Sequence, residues 1–239
     1  MKKIVLFIFT ILFYSCIQNE VSPAEPADPN AAKYPATVTY NNGLWTSIFN
    51  LSYDSQHRLV QIVEDRESLP AYCVFTFTYD NSDKLMLIDK LGQEHHTIAF
   101  TYDAAGYVSS WKYDDMLPRL VTFNNGIYAV SVANIQTFHS FDADNDVTMV
   151  KSGGQSTLSY ELTKKGSFKH VVGNYQLFSV YLDSFMLFFG SKKPLLSITS
   201  GPTSSTVFTN TYDSQDYLTN YTGIGSSGSQ SWGTIVYGD

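Results

Sequence analysis

The chain has 239 residues, 15% of them aromatic, and carries fifteen basic against twenty-two acidic residues for a net charge of −7 at pH 7. That balance argues against a nucleic-acid partner, which draws clustered Lys and Arg. The two cysteines, Cys16 and Cys73, rule out a disulfide-dense scaffold, and no C-x-x-C or paired His–Cys spacing suits zinc.

Residues 1–15 read as an export signal: Lys2 and Lys3 form a positive start, and Ile4 to Phe13 form an apolar core. That core is shorter than the roughly 20 apolar residues a membrane helix needs. Ser15-Cys16 then places a small residue before a cysteine, as in bacterial lipoproteins, although Phe13 and Tyr14 are large for that cleavage box. Cys16 is the expected lipid attachment, which makes the outer membrane the expected anchor on its periplasmic or surface side. Ordinary secretion with cleavage nearby is the alternative. Lipidation of Cys16 leaves Cys73 without an intrachain disulfide partner, and a small buried hydrophobe is its expected role. Residues 16–35 hold Pro23, Pro26, Pro29 and Pro35 among Ala, Asn and acidic residues, the composition of an extended tether.

Residues 36–239 are expected to form a single domain built from hairpins. One pattern recurs: FNLSYDSQHRLVQIVE from Phe49, FTFTYDNSDKLMLIDK from Phe75, IAFTYDAAGYVSSWKY from Ile98 and FTNTYDSQDYLTNYT from Phe208. Looser copies are FHSFDADNDVTMVK from Phe138 and TLSYELTKKGSFKHVV from Thr157. Alternating apolar and polar residues mark a strand, a polar run follows, and a second strand returns. Counting from the acidic residue, the fourth position holds His57, Asp83, Gly106, Asn145 or Asp216. Gly, Asn and Asp, and less often His, tolerate a left-handed backbone, and a leading Asp accepts hydrogen bonds from its own turn. A type I turn closed by a left-handed residue is the expected connection. The copy at Glu161 is expected to carry a longer turn ending at Gly166.

The same turn chemistry accounts for Asp142, Asp144 and Asp146. Their D-x-D-x-D spacing suggests a calcium loop, but Gly is missing at its sixth position and Glu at its twelfth. His95 and His96 are adjacent, so on a strand they point to opposite faces and do not chelate one metal. Asp114-Asp115 reads as a turn.

The Tyr-Asp pair followed by a Gly-like turn and Leu resembles the YD repeat of Rhs-type proteins. It resembles more closely a family of Bacteroidetes-type lipoproteins of unknown function, described as having a porin-like fold. The resemblance runs from about Tyr34 to the end, and it implies a porin-like barrel on a lipid anchor. Gly stands at the turn only in Gly106 and Gly166, a departure from the strict repeat. A toxin-enclosing shell needs a far longer array, so that role is not implied.

One stretch breaks the strand rhythm. In NYQLFSVYLDSFMLFFGSKKPL, Leu177, Tyr181, Phe185 and Phe188 or Phe189 recur at helical steps. A helix near residues 175–189 is expected, capped by Asn174 and ended by Gly190, with a pair of strands as the alternative. Phe178, Leu182 and Met186 would bury it on more than one side, as inside a curved sheet. The FFGSKKPL tail resembles the close of a helix in the same lipoprotein family. The GIGSSGSQS stretch from Gly223 lacks the Lys-Ser/Thr of a phosphate loop and reads as a hairpin loop.

The expected fold is mainly β: an antiparallel meander of six or so hairpins forming a curved sheet or partly closed barrel, with one helix. An outer-membrane barrel is the rival, but strands such as Thr206 to Thr211 are polar on both faces. No nucleophile–base–orienter set assembles, so an enzyme is not expected and no cofactor is called for. The expected function is an envelope ligand-binding or scaffolding module, with a purely structural interaction module as the alternative. Its partner would be a glycan, a peptide or an envelope protein. Trp45, Trp111, Tyr113 and Trp232 are the candidate contacts, since large aromatics near strand ends stack on sugars or anchor partners.

Overall fold

The computed structural model describes residues 31–67, 69–132, 135–152, 154–177 and 186–238. Cys16 and residues 1–30 lie outside the described residues. Among the described residues sixteen strands follow one another. The first eight are β1 (Pro35–Asn41), β2 (Thr46–Tyr53), β3 (Leu59–Arg66), β4 (Leu69–Tyr79), β5 (Leu85–Leu91), β6 (His95–Tyr102), β7 (Val108–Tyr113) and β8 (Arg119–Asn124). The rest are β9 (Ile127–Val132), β10 (Ile135–Phe141), β11 (Val147–Ser152), β12 (Gly154–Tyr160), β13 (Leu195–Ser200), β14 (Ser204–Tyr212), β15 (Leu218–Gly225) and β16 (Gln230–Tyr237). A short helix, α1 (Met186–Phe189), precedes β13.

Each strand pairs antiparallel with the next, and β16 returns to β1 through pairs such as Val38 with Ile235 and Tyr40 with Gly233. The sheet is therefore a closed barrel, which leaves no free edge. Wall side chains alternate as the two-residue period dictates. Phe49, Phe75, Ile88, Ile98, Phe100 and Ile235 point inward and are buried. Asn50, Ser52, Thr76, Thr78, Thr101, Thr209 and Thr222 point outward. A lipid-spanning barrel carries the reverse pattern, an apolar band outside. Exposed apolar residues do occur on the wall, among them Ile48, Val207, Ile224 and Val236. Thr37, Thr39, Thr222 and Thr234 on neighbouring strands break them up.

The interior is filled by residues 161–177 and 186–194, called here the inner segment. Its Phe168, Val171, Tyr175, Leu177, Met186 and Phe189 are buried with the wall residues in one cluster. The Phe189 ring lies 5.6 Å from Phe49, and Phe188 lies 5.5 Å from Tyr40 and 5.9 Å from Phe208. Each large apolar side chain buried this way contributes about 1.5–3 kcal/mol, so this filling is a main stabiliser of the barrel.

The expected helix is present at both ends, at Gln176-Leu177 and in α1, while residues 178–185 lie outside the described residues. Gly190 N–H closes the last turn on Met186 C=O at 2.6 Å. The hairpin expected at Thr157 is half correct. Its outgoing strand is β12, but Ser167 to Val171 form no return strand and pack into the interior. Gly166 has no left-handed backbone; a Cβ there would meet Ser191 O at 2.3 Å, so it permits a close approach within the inner segment. The Arg119 to Val132 hairpin was not anticipated, although its Asn125-Gly126 pair, with φ of 49° and 79°, carries the strongest short hairpin signal.

Candidate functional site

Successive strands alternate in direction, so the turns after β2, β4, β6, β10 and β14 all fall at one end of the barrel. Asp54, Asp80, Asp103, Asp142 and Asp213 begin them. The Oδ1 of each accepts the N–H groups two and four residues on, at 2.8–3.0 Å. The fourth residues, His57, Asp83, Gly106, Asn145 and Asp216, have φ between 60° and 90°. The turn expected from sequence is present in all five copies.

The tyrosine before the acid has a separate role. Tyr53, Tyr79, Tyr102 and Tyr160 donate their hydroxyls to the backbone carbonyls of Pro35, Leu59, Leu85 and Val147 at 2.6–2.9 Å. Tyr237 does the same to Leu218 at 2.7 Å. Each acceptor is the first residue of a strand, so each bond ties one hairpin to its neighbour where no turn joins them. Burial raises the pKa of these hydroxyls, to about 12 for Tyr102, and they stay donors at neutral pH. Asn210 Nδ2 takes this place at Leu195 O. At the end of β10 the position is Phe141, which has no hydroxyl, and β7 meets β8 at Ser110–Leu120 and Trp111–Arg119.

A pocket of about 640 Å³ opens where the tyrosine ties stop. It is lined by Tyr107, Val108, Tyr128 and Phe141 of the wall, by Lys169 to Asn174 of the inner segment, and by Lys84 and Lys192. The inner segment is pinned beneath this mouth by the turns themselves. Val172 N–H bonds to His57 C=O at 3.0 Å, and Asn174 Oδ1 accepts Leu85 N–H at 2.6 Å while its Nδ2 donates to Tyr102 Oη at 2.9 Å. Asn174 thus caps the start of β5 with its side chain, in place of the helix cap expected for it. Gly173, at φ 94°, lets the backbone lie against the Tyr79 ring, where a Cβ would come within 2.8 Å.

Charge is divided unevenly around this mouth. Lys33 pairs with Asp213, Arg58 with Asp54 and Asp83, and Lys164 with Asp216. Asp142, Asp144 and Asp146 converge on Lys193 Nζ at 2.8, 2.6 and 3.4 Å, so the calcium-like spacing holds an ammonium group. Burial opposes the Lys193 charge, but its hydrogen bonds to Asp142 and Asp144 prevail and raise its pKa. Burial also pushes Asp146 up to about 6, against the Lys192 N–H and the Lys193 charge. Among the described residues no carboxylate is ion-paired with Lys84, Lys169 or Lys192, and all three line the pocket. Burial, and then the charges of Lys165, Lys169 and Lys192, hold His170 below its ordinary pKa. Its Nε2 shares a 2.7 Å hydrogen bond with Tyr217 Oη and is not placed against a serine.

A porin-like protein from Bacteroides uniformis shares this fold, with a TM-score of 0.54 and 10% identity over 85% of this chain and 98% of that one. A second porin-like protein, from Bacteroides vulgatus, aligns with 87% of this chain and 99% of its own at a TM-score of 0.43 and 10% identity. No protein-family model and no curated protein matches the chain. At 10% identity the first likeness establishes the architecture and leaves the site chemistry to this chain's own residues. The porin-like expectation is met at the level of fold.

None of the candidate contacts named from sequence is among the residues that line the pocket. Trp111 is buried in the core cluster, 6% exposed, with the Arg119 guanidinium 4.5 Å from its ring. Its ring is therefore covered and offers no surface to a ligand. Trp232 is 42% exposed on the outer wall, between Asn41 and Thr222. Trp45 packs on Arg66, and Tyr113 on His96. His95 bonds to Asp89, while His96 bonds to Asp114 and Glu94, so the two rings serve separate carboxylates. Cys73 is buried inside β4, which begins at Leu69, as expected of a small hydrophobe. The pocket residues carry no local motif, because Lys84, Tyr107, Phe141 and Lys169 come from four different stretches. A usable signal was the loss of the hydroxyl at Phe141, the one copy in which Phe precedes the Asp.

Proposed function

We propose that this chain is a non-catalytic binding module of the cell envelope, anchored through lipid on Cys16, with its ligand held in the mouth pocket. The observation that carries this reading is a 640 Å³ pocket framed by hydrogen-bonded turns and lined by three lysines that lack ion-pair partners among the described residues. Pockets of this size and mixed lining are the usual form of small-ligand sites. The anchoring part rests on Lys2, Lys3, the apolar run to Phe13 and the Ser15-Cys16 pair. A polar outer wall suits a body that stands in water beside a membrane. The porin-like name of the Bacteroides uniformis neighbour is in keeping with an envelope location.

A purely structural module is the second reading, favoured by the packed interior, where a concavity for a large ligand would otherwise lie. Ligand-observed NMR with a library of sugars, short peptides and apolar fragments separates the two. Val172→Trp fills the pocket, so hits on the wild type that vanish in this variant support the binding reading. A wild type without hits favours the structural module. Anchoring is tested separately in a Gram-negative host, where Cys16→Ala is expected to leave the membrane fraction and lose fatty-acid labelling. Unchanged retention with labelling would remove the lipid assignment.

A further inference from the structure

We propose that the mouth pocket recognises an anionic saccharide, a sugar ring bearing a carboxylate or sulfate. This rests on the binding reading above and adds the chemical class of the ligand.

The chain is acidic, but at this mouth Asp54 and Asp83 are paired with Arg58, Asp213 with Lys33, Asp216 with Lys164, and Asp142 and Asp144 with Lys193, while Asp80 and Asp103 accept the N–H groups of their own turns. Lys84, Lys169 and Lys192 remain around the pocket with no ion-paired carboxylate among the described residues. Asp83, the acidic residue in the lining, is bonded to Arg58 at 3.2 Å. Cations gathered in a recess lined partly by apolar groups focus a positive field on whatever enters. A molecule with net negative charge answers that field, and a neutral one does not.

Part of the lining is aromatic. Tyr107 stacks on Phe123 with ring centroids 3.8 Å apart, Phe123 lies 4.7 Å from Tyr128, and Tyr128 meets Phe141 at 5.7 Å. Tyr107, Tyr128 and Phe141 of this aromatic run line the pocket together with the lysines, and Tyr107 is 39% exposed. An aromatic face accepts the apolar side of a flat or chair-shaped ring. Ser82 and Asn145 add polar groups to the lining for hydroxyls. A bare inorganic anion would use the lysines and leave the aromatic wall bare, whereas an acidic sugar uses both. The volume of about 640 Å³ lies in the range of small-molecule sites.

Isothermal titration calorimetry on the folded barrel tests this with a digalacturonate, lactose and inorganic phosphate at two salt concentrations. The expected result is binding of digalacturonate at least tenfold tighter than lactose and weakened by salt. A Lys169→Gln/Lys192→Gln double variant should lose at least tenfold for digalacturonate with an unchanged thermal midpoint. Tyr107→Ala should weaken both sugars. Lactose binding as tightly as digalacturonate would overturn the anionic part and leave pocket binding standing. Phosphate binding as tightly, and unaffected by Tyr107→Ala, would overturn the saccharide part. Fragment hits lost in Val172→Trp, with no acidic sugar bound, would overturn this inference alone. No binding by any fragment or probe would overturn it together with the binding reading.

Discussion

Tyr79 donates its hydroxyl to the backbone carbonyl of Leu59 at 2.9 Å, joining two hairpins at a point where no turn connects them. The same relationship holds between Tyr53 and Pro35, Tyr102 and Leu85, Tyr160 and Val147, and Tyr237 and Leu218. In the Tyr-Asp pairs at Tyr53, Tyr79 and Tyr102 the Asp therefore folds its own hairpin and the Tyr ties it to the strand before, while beside Tyr212-Asp213 the tie comes from Asn210. Tyr79→Phe keeps the ring and removes the tie, and should lower stability by about 1 kcal/mol, the usual net worth of one hydrogen bond. Tyr102→Phe should cost more, since its hydroxyl also accepts from Asn174. Urea midpoints equal to wild type in both variants would show that the ties carry no stability.

Gly106 separates turn conformation from turn composition. Its φ of 90° is strained for any residue with a Cβ, and a Cβ there would sit 3.0 Å from Lys84 Nζ. Gly106→Val should destabilise by about 1 kcal/mol or more. Ala105→Ser, one position earlier and exposed, should be close to neutral. Equal thermal midpoints for the two variants would contradict the left-handed turn.

His139 gives the barrel a pH dependence with a definite sign. It faces the interior, and burial pushes its pKa down to about 4 from an ordinary 6.5. Above pH 6.5 the ring is neutral in both folded and unfolded chains. As pH falls below that value the unfolded chain takes up a proton that the folded one refuses, so stability drops until about pH 4. The full effect is on the order of 3 kcal/mol. Asp146 acts in the opposite sense: its folded pKa of about 6 lies above its ordinary 3.8, so its contribution improves as pH falls through the same range. Comparing wild type with His139→Leu cancels the Asp146 contribution. The variant should gain on the wild type between pH 7 and pH 4, and a constant gap in unfolding free energy would contradict the assignment.

The legible parts of this fold were the local ones. An Asp bonded to N–H groups two and four residues ahead, and a left-handed residue at the fourth place, are settled within five positions of chain. Sequence therefore located the turns at Asp54, Asp80, Asp103, Asp142 and Asp213. The second half of the Thr157 copy misled because Ser167 to Val171 has a strand-like composition, while its partners are Phe189 and Ser191 of the inner segment. The Lys193 cage joins residues 47 to 51 positions apart, a distance over which spacing says nothing about contact. The pocket was illegible for the same reason. It exists because two neighbouring hairpins lack a tie and the inner segment passes beneath them. The tryptophans stand out in the sequence as large aromatics, but the aromatic part of the pocket lining comes from Tyr107, Tyr128 and Phe141.

The most direct test of the account is amide chemical-shift mapping of the labelled barrel with a bound saccharide or fragment. The account predicts that perturbed amides cluster at Lys84, Tyr107 and Lys169 to Asn174. Perturbations centred instead on Trp45, Tyr113 and Trp232, with the mouth unchanged, would contradict it.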